Sequence, residues 1–114
     1  MGTNHFTFAY AEREPSREEI DALPGITVIE FGAPWCGHCQ AAQASIEAGF
    51  QLVPRARHLK IHDGRGQPLG RSFRVKLWPT LIFLRDGVVL AQLVRPDDDQ
   101  IVAAFTSLLG EIDN

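Results

Sequence analysis

The stretch ITVIEFGAPWCGHC, Ile26 to Cys39, joins a β-branched run to the only two cysteines of the chain. ITVIEF has the composition of a central strand buried on both faces. Directly downstream, CQAAQASIEAGF is rich in helix formers and is expected to end near Gly49. The cysteines therefore fall on a strand-to-helix turn. A disulfide framework needs several well-separated cysteines, and a structural zinc site about four ligands. Cys36-Gly37-His38-Cys39 fits neither, which leaves redox chemistry as the leading reading.

Thiol–disulfide exchange needs an accessible thiolate to attack and a second thiol to release the mixed disulfide. Cys36 and Cys39, three residues apart at a helix start, share one face and can approach within disulfide range. Unpaired N–H groups and the positive end of the helix dipole favour a thiolate on the first cysteine. Cys36 is thus the expected nucleophile and Cys39 the resolving thiol. His38, when protonated, adds positive charge beside that thiolate. Two other readings stay open. The pair is also half a zinc or copper site, with His5, His38, His58 and His62 as further candidate ligands, or it is incidental to a partner-binding module. Haem attachment is excluded by Gln40, which stands where a histidine is needed.

Outward from this turn the chain alternates strands and helices. HFTFAY reads as a short first strand with Phe6 and Phe8 on one face. SREEIDAL opens a short helix with Ser16 and Glu19 as a capping box, and Pro24-Gly25 ends it. RHLKIH reads as a strand with Leu59 and Ile61 alternating against His58, Lys60 and His62. DGRGQPLGRSFRV is Gly-rich and allows only a short, late helix. TLIFLRDGVVLAQLV is a hairpin about Asp86-Gly87. Asp97, with Gln100 at the capping-box position, starts a helix whose stripe is Ile101, Phe105, Leu108 and Leu109. Helical crossovers first give parallel strands, and the hairpin adds antiparallel pairing. The expectation is an α/β protein with one mixed sheet and helices on both faces.

At 114 residues the chain fits a single domain, 1–114, with a core that needs no disulfide staples. A net charge of −3 and a pI of about 5.7 argue against a polyanion such as nucleic acid as partner. Seven of the eleven basic residues (Arg55, Arg57, Lys60, Arg65, Arg71, Arg74, Lys76) lie in one stretch, read as a solvated face. Steering of acidic partners is the sharper alternative. No apolar run is long enough to span a membrane, and the start has no basic region followed by an apolar one. A cytoplasmic location is therefore expected, where a lone CxxC serves redox or metal chemistry.

APWCGHC resembles the active-site turn of protein disulfide isomerase domains, and nearly the whole chain resembles the thioredoxin superfamily. Typical thioredoxins carry proline where His38 stands. The resemblance implies a thioredoxin fold, with a central mixed sheet of about five strands and about four helices. It implies a protein-disulfide oxidoreductase that contributes to electron transport and cell redox homeostasis without a bound cofactor. Its partners would be disulfide-containing proteins and a reductase or other thiol donor, and it would act as a monomer. WPT, Trp78-Pro79-Thr80, sits where the family keeps a cis-proline facing the disulfide. Glu30, six residues before Cys36, falls where the family buries a carboxylate beneath the second cysteine. It shares a strand face with Ile26 and Val28, where an uncompensated charge is costly. Lys60 falls where a lysine often pairs with that carboxylate, and Glu30 would shuttle the proton of Cys39. Trp35, Trp78, Pro79 and Arg95 are the expected substrate-facing residues. Ala44 replaces the proline that usually kinks the active-site helix, so a straighter helix is expected. Arg95 stands where thioredoxins usually have glycine.

Overall fold

The β-branched run forms strand β1, Ile26–Gly32, with every residue buried. The structure, a computed structural model, describes residues 3–112. On one side β1 pairs in parallel with β2, Arg57–His62, and on the other antiparallel with β3, Thr80–Arg85. β4, Val88–Val94, pairs antiparallel with β3, giving the order β2-β1-β3-β4. Helices α1 (Arg17–Asp21) and α3 (Pro68–Ser72) cover one face of this sheet, and α2 (Gly37–Leu52) and α4 (Asp98–Ile112) the other. Against α1 and α3 pack Ile29, Phe31, Ile82 and Leu84. Against α2 and α4 pack Val28, Leu81 and Phe83. Period-two alternation along β1 and β3 thus feeds two separate cores. Only the β1–β2 crossover is parallel; the connection through α3 returns β3 antiparallel.

Several local expectations hold for the reasons given. Ser16 and Glu19 form the reciprocal capping box of α1. Asp97 and Gln100 cap α4 in the same way, each side chain accepting from the other's backbone N–H at 2.8 Å. Asp86 and Gly87 have φ of 51° and 81°, the left-handed pair that a tight hairpin turn requires. α2 runs unbroken for 16 residues, consistent with alanine at position 44.

Three expectations are corrected. HFTFAY forms no strand, and the sheet among the described residues has four strands, close to the expected about five. The segment meets β2 through one backbone bond, Ala11 N–H to the Lys60 carbonyl, while Thr7 N–H is diverted to the His58 ring. Phe6 turns inward, stacking on His58 at 5.3 Å, whereas Phe8 is exposed. Gly49 does not end α2; the helix continues to Leu52 because this glycine faces α4, and a Cβ there would strike the Phe105 ring. Leu109 lies on the exposed side of α4, its expected place on the stripe falling to the half-buried Ile112.

Candidate active site

The turn after β1 places Cys36 as the N-cap of α2. Its backbone N–H donates to the Ala33 carbonyl at 3.1 Å, and its carbonyl accepts from Gln40 N–H at 3.1 Å. The Gln40 side chain ties the turn further by donating to the Pro34 carbonyl at 2.9 Å. With an extended backbone, Cys36 aims its sulfur back at the helix start and accepts from Cys39 N–H at 3.1 Å. No acidic residue occupies the first turn of α2 to oppose a negative charge there. Cys36 is half-buried, Cys39 is buried, and both thiols are free. Cys39 packs so close to β1 that a Cβ at position 32 would lie 2.6 Å from its sulfur, so Gly32 is required there. Burial, the hydrogen bond with Cys36 and the negative charges of Cys36 and Glu30 push the Cys39 thiol up to about 12. The two sulfurs therefore differ in kind: one at a positive helix end, the other held as a thiol.

Beneath them lies a polar chain enclosed between β1, β2 and α2. The parallel register sets Glu30 opposite Lys60 and Val28 opposite His58, so His58 and Lys60 share the Glu30 face. Glu30 is fully buried, and both its oxygens are occupied. One faces His58 Nε2 at 2.8 Å, and the other accepts from Gln43 Nε2 at 2.7 Å. Thr7 N–H donates to His58 Nδ1 at 3.0 Å, which places the ring proton on Nε2 and makes His58 a donor to Glu30. Gln43 also donates to the Cys39 carbonyl at 2.9 Å and accepts from Lys60 Nζ at 2.9 Å. Lys60 Nζ itself stands 3.8 Å from Glu30. The expected direct Glu30–Lys60 pair is thus a longer contact bridged by Gln43, with His58 the nearer partner. Sequence reading named His58 only as a candidate metal ligand and did not set it beside Glu30, although alternation along RHLKIH puts it on the same face as Lys60. It missed Gln43 too, although four-residue spacing from Cys39 puts both on one side of α2.

Of the remaining expected residues, His38, Pro79 and Arg95 line one hollow, Trp78 adjoins it through Arg95, and Trp35 lies apart against His62. Trp78–Pro79 is a cis peptide bond. Trp78 is half-buried, and its indole N–H donates to Asp63 Oδ2 at 2.9 Å. Arg95 has φ 47°, the left-handed region that favours glycine, and donates from Nε to the Trp78 carbonyl at 2.9 Å and from its backbone to the Pro79 carbonyl at 2.8 Å. His38, exposed, joins Pro79, Arg95 and Asp98 around an open hollow of about 190 Å³. Trp35 is 69% exposed and meets His62 edge-on. The basic stretch is not one solvated face: Lys60 is buried, and Arg57 is spent on the Pro24 carbonyl and Thr27 hydroxyl. Among the described residues no group of three or more His, Cys, Asp or Glu side chains is placed to hold a metal ion.

The thioredoxin family model matches residues 9–107. Protein disulfide-isomerase A2 of Pongo abelii is 38% identical over 99 residues, which covers 65% of this chain and 18% of that protein. The chain thus spans less than a fifth of the length of that relative. Thioredoxin-1 of Drosophila melanogaster is 26% identical over 85 residues, covering 74% of this chain and 79% of that one. The structure of thioredoxin 2 from Pseudomonas aeruginosa PAO1, in its reduced form, superposes with a TM-score of 0.81 at 50% identity. That match covers 93% of this chain and 99% of the other.

Proposed function

This chain belongs to the thioredoxin family, whose members are thiol–disulfide oxidoreductases, and on that premise we propose that it exchanges disulfides with protein substrates through Cys36 and Cys39. One observation carries the reading: a half-exposed sulfur at the start of α2 accepts a hydrogen bond from the backbone of a second, buried cysteine. Cys36 attacks the substrate disulfide and forms a mixed disulfide, and one substrate thiolate leaves. Cys39 then attacks the Cys36 sulfur, closing the Cys36–Cys39 disulfide and releasing the second substrate thiolate. Capture of Cys36 in the mixed disulfide removes two of the influences that hold Cys39 protonated, its hydrogen bond and its charge. The second step is therefore favoured only after the first. Glu30, whose charge helps to hold Cys39 protonated before attack, forms with Lys60 and Gln43 the buried polar chain beneath it. His38 adds positive charge near Cys36 when protonated. Trp35, Trp78, Pro79 and Arg95 face the substrate, with Arg95 drawing acidic segments toward the hollow beside His38.

In the cell this activity belongs to redox homeostasis and electron transport in the cytoplasm, in a monomeric domain spanning residues 1–114. A reductase or another thiol donor regenerates the dithiol. Insulin reduction driven by dithiothreitol tests the proposal. Turnover abolished by Cys36→Ser supports it; wild-type protein that gives no rate above dithiothreitol alone would refute it.

A further inference from the structure

Cys39 borders a cavity that Glu30 does not line. A cavity of about 330 Å³ opens beside Cys39, walled by Tyr10, Ala33, Pro34, Gln43 and Lys60. Glu30 is not part of that wall, and its two oxygens already accept from His58 and Gln43. Tyr10 comes from the irregular segment before α1. Its hydroxyl and the Cys39 sulfur both approach the same point beside Gly32, at 3.3 and 2.6 Å. About 6 Å at most therefore separates oxygen from sulfur, a gap one bridging water can span.

We propose that Tyr10 is a positioning residue for the resolving step: through one water in this cavity its phenol donates toward the Cys39 thiolate as that thiolate forms. The inference rests on the exchange reaction proposed above and adds a residue to it. The Cys39 thiol gives its proton to cavity water, which hands it on to bulk solvent, its sulfur bonds to Cys36, and the Cys36–substrate bond breaks with the electron pair leaving on the substrate sulfur. Tyr10 remains the donor throughout. Burial, reinforced by the charges of Cys39, Glu30 and Cys36, raises its hydroxyl well above the ordinary phenol range, so it stays protonated. Lys60 Nζ lies 4.9 Å from the ring centroid and His62 5.8 Å, and these two fix the ring from the β2 side.

Reduced protein mixed with Ellman's disulfide releases two coloured thiolates in sequence, the first by Cys36 and the second by Cys39. In Tyr10→Phe, which keeps the ring and its packing, the second release should slow about tenfold near neutral pH, the worth of one charge-assisted hydrogen bond. Its pH dependence should move to higher pH, while the first release and the thermal midpoint stay as in wild type. Phe8→Ala, at the cavity rim without a hydroxyl, should leave both releases unchanged. An unaltered second release with an unaltered pH dependence in Tyr10→Phe overturns the inference. Wild-type protein that shows only one release overturns the exchange reading instead.

Discussion

Cys36 and Cys39 lie three positions apart, and the distance from solvent decides what each sulfur does. A thiol titrates ordinarily at about 8.5, whereas Cys39 is pushed up to about 12, chiefly by burial. Iodoacetamide, which reacts only with thiolate, should therefore label Cys36 first near neutral pH and reach Cys39 only in strong alkali. Peptide mapping by mass spectrometry reads the order, and faster labelling of Cys39 would reverse the assigned roles. The same shift bears on stability. An acid whose folded value is raised holds its proton in the native state after the unfolded chain has lost it. Its contribution is full below the unfolded value and is lost as pH rises from about 8.5 toward 12. Equilibrium unfolding of the reduced protein should show stability falling through that window, with a shallower slope in Cys39→Ala.

At the scale of elements, α2 carries Cys39 and Gln43 and is capped by Cys36, so its seating on α4 sets where the whole site lies. The contact is made by Ile46 and Phe50 of α2 against Ile101 and Phe105 of α4, with Phe50 and Phe105 edge-to-face at 5.0 Å. Gly49 lies directly against the Phe105 ring. Gly49→Ala improves helix propensity by roughly 1 kcal/mol, yet its methyl would strike the Phe105 ring, in the middle of a packed core. Overpacking of this kind costs about 1–3 kcal/mol. We expect the collision to win and the variant to unfold at lower denaturant. Phe105→Leu in the Gly49→Ala background should recover part of the loss, because it removes the ring that the methyl meets. Chemical denaturation of the two variants checks both signs.

For the whole molecule, the segment before α1 acts as a lid on the β2 edge and links the packed core to the polar chain under Cys39. Phe6 stacks on His58 and packs against Phe50, while Thr7 sets the His58 tautomer. Removing the Phe6 ring should therefore act twice. Phe6→Ala should lower stability by about 2 kcal/mol, less than for a fully buried ring because Phe6 is only half-buried. It should also raise hydrogen exchange of β2 amides while the β3–β4 hairpin stays protected. Equal loss of protection across the sheet would mean that the segment supports the fold globally rather than this edge.

The sequence alone determined what depends on near neighbours in the chain. The CxxC turn after β1, the Ser16 and Asp97 caps, and the Asp86-Gly87 hairpin are local, because spacing and backbone preference act over a few residues. Likeness to a family added Glu30, Lys60 and Pro79. Tertiary structure alone decided what depends on which segments meet. The parallel register of β1 and β2 turned His58 from a candidate metal ligand into the partner of Glu30. Helix packing turned Gly49 from a stop signal into a contact. The aromatic alternation of HFTFAY, which reads as a strand, gave way to inward packing of Phe6 once Thr7 found the His58 ring. Tyr10 came to wall the cavity beside Cys39 in the same way, across nearly thirty residues of chain. A sequence records propensity at each position, but burial and hydrogen-bond partners are shared between distant positions, and only folding pairs them.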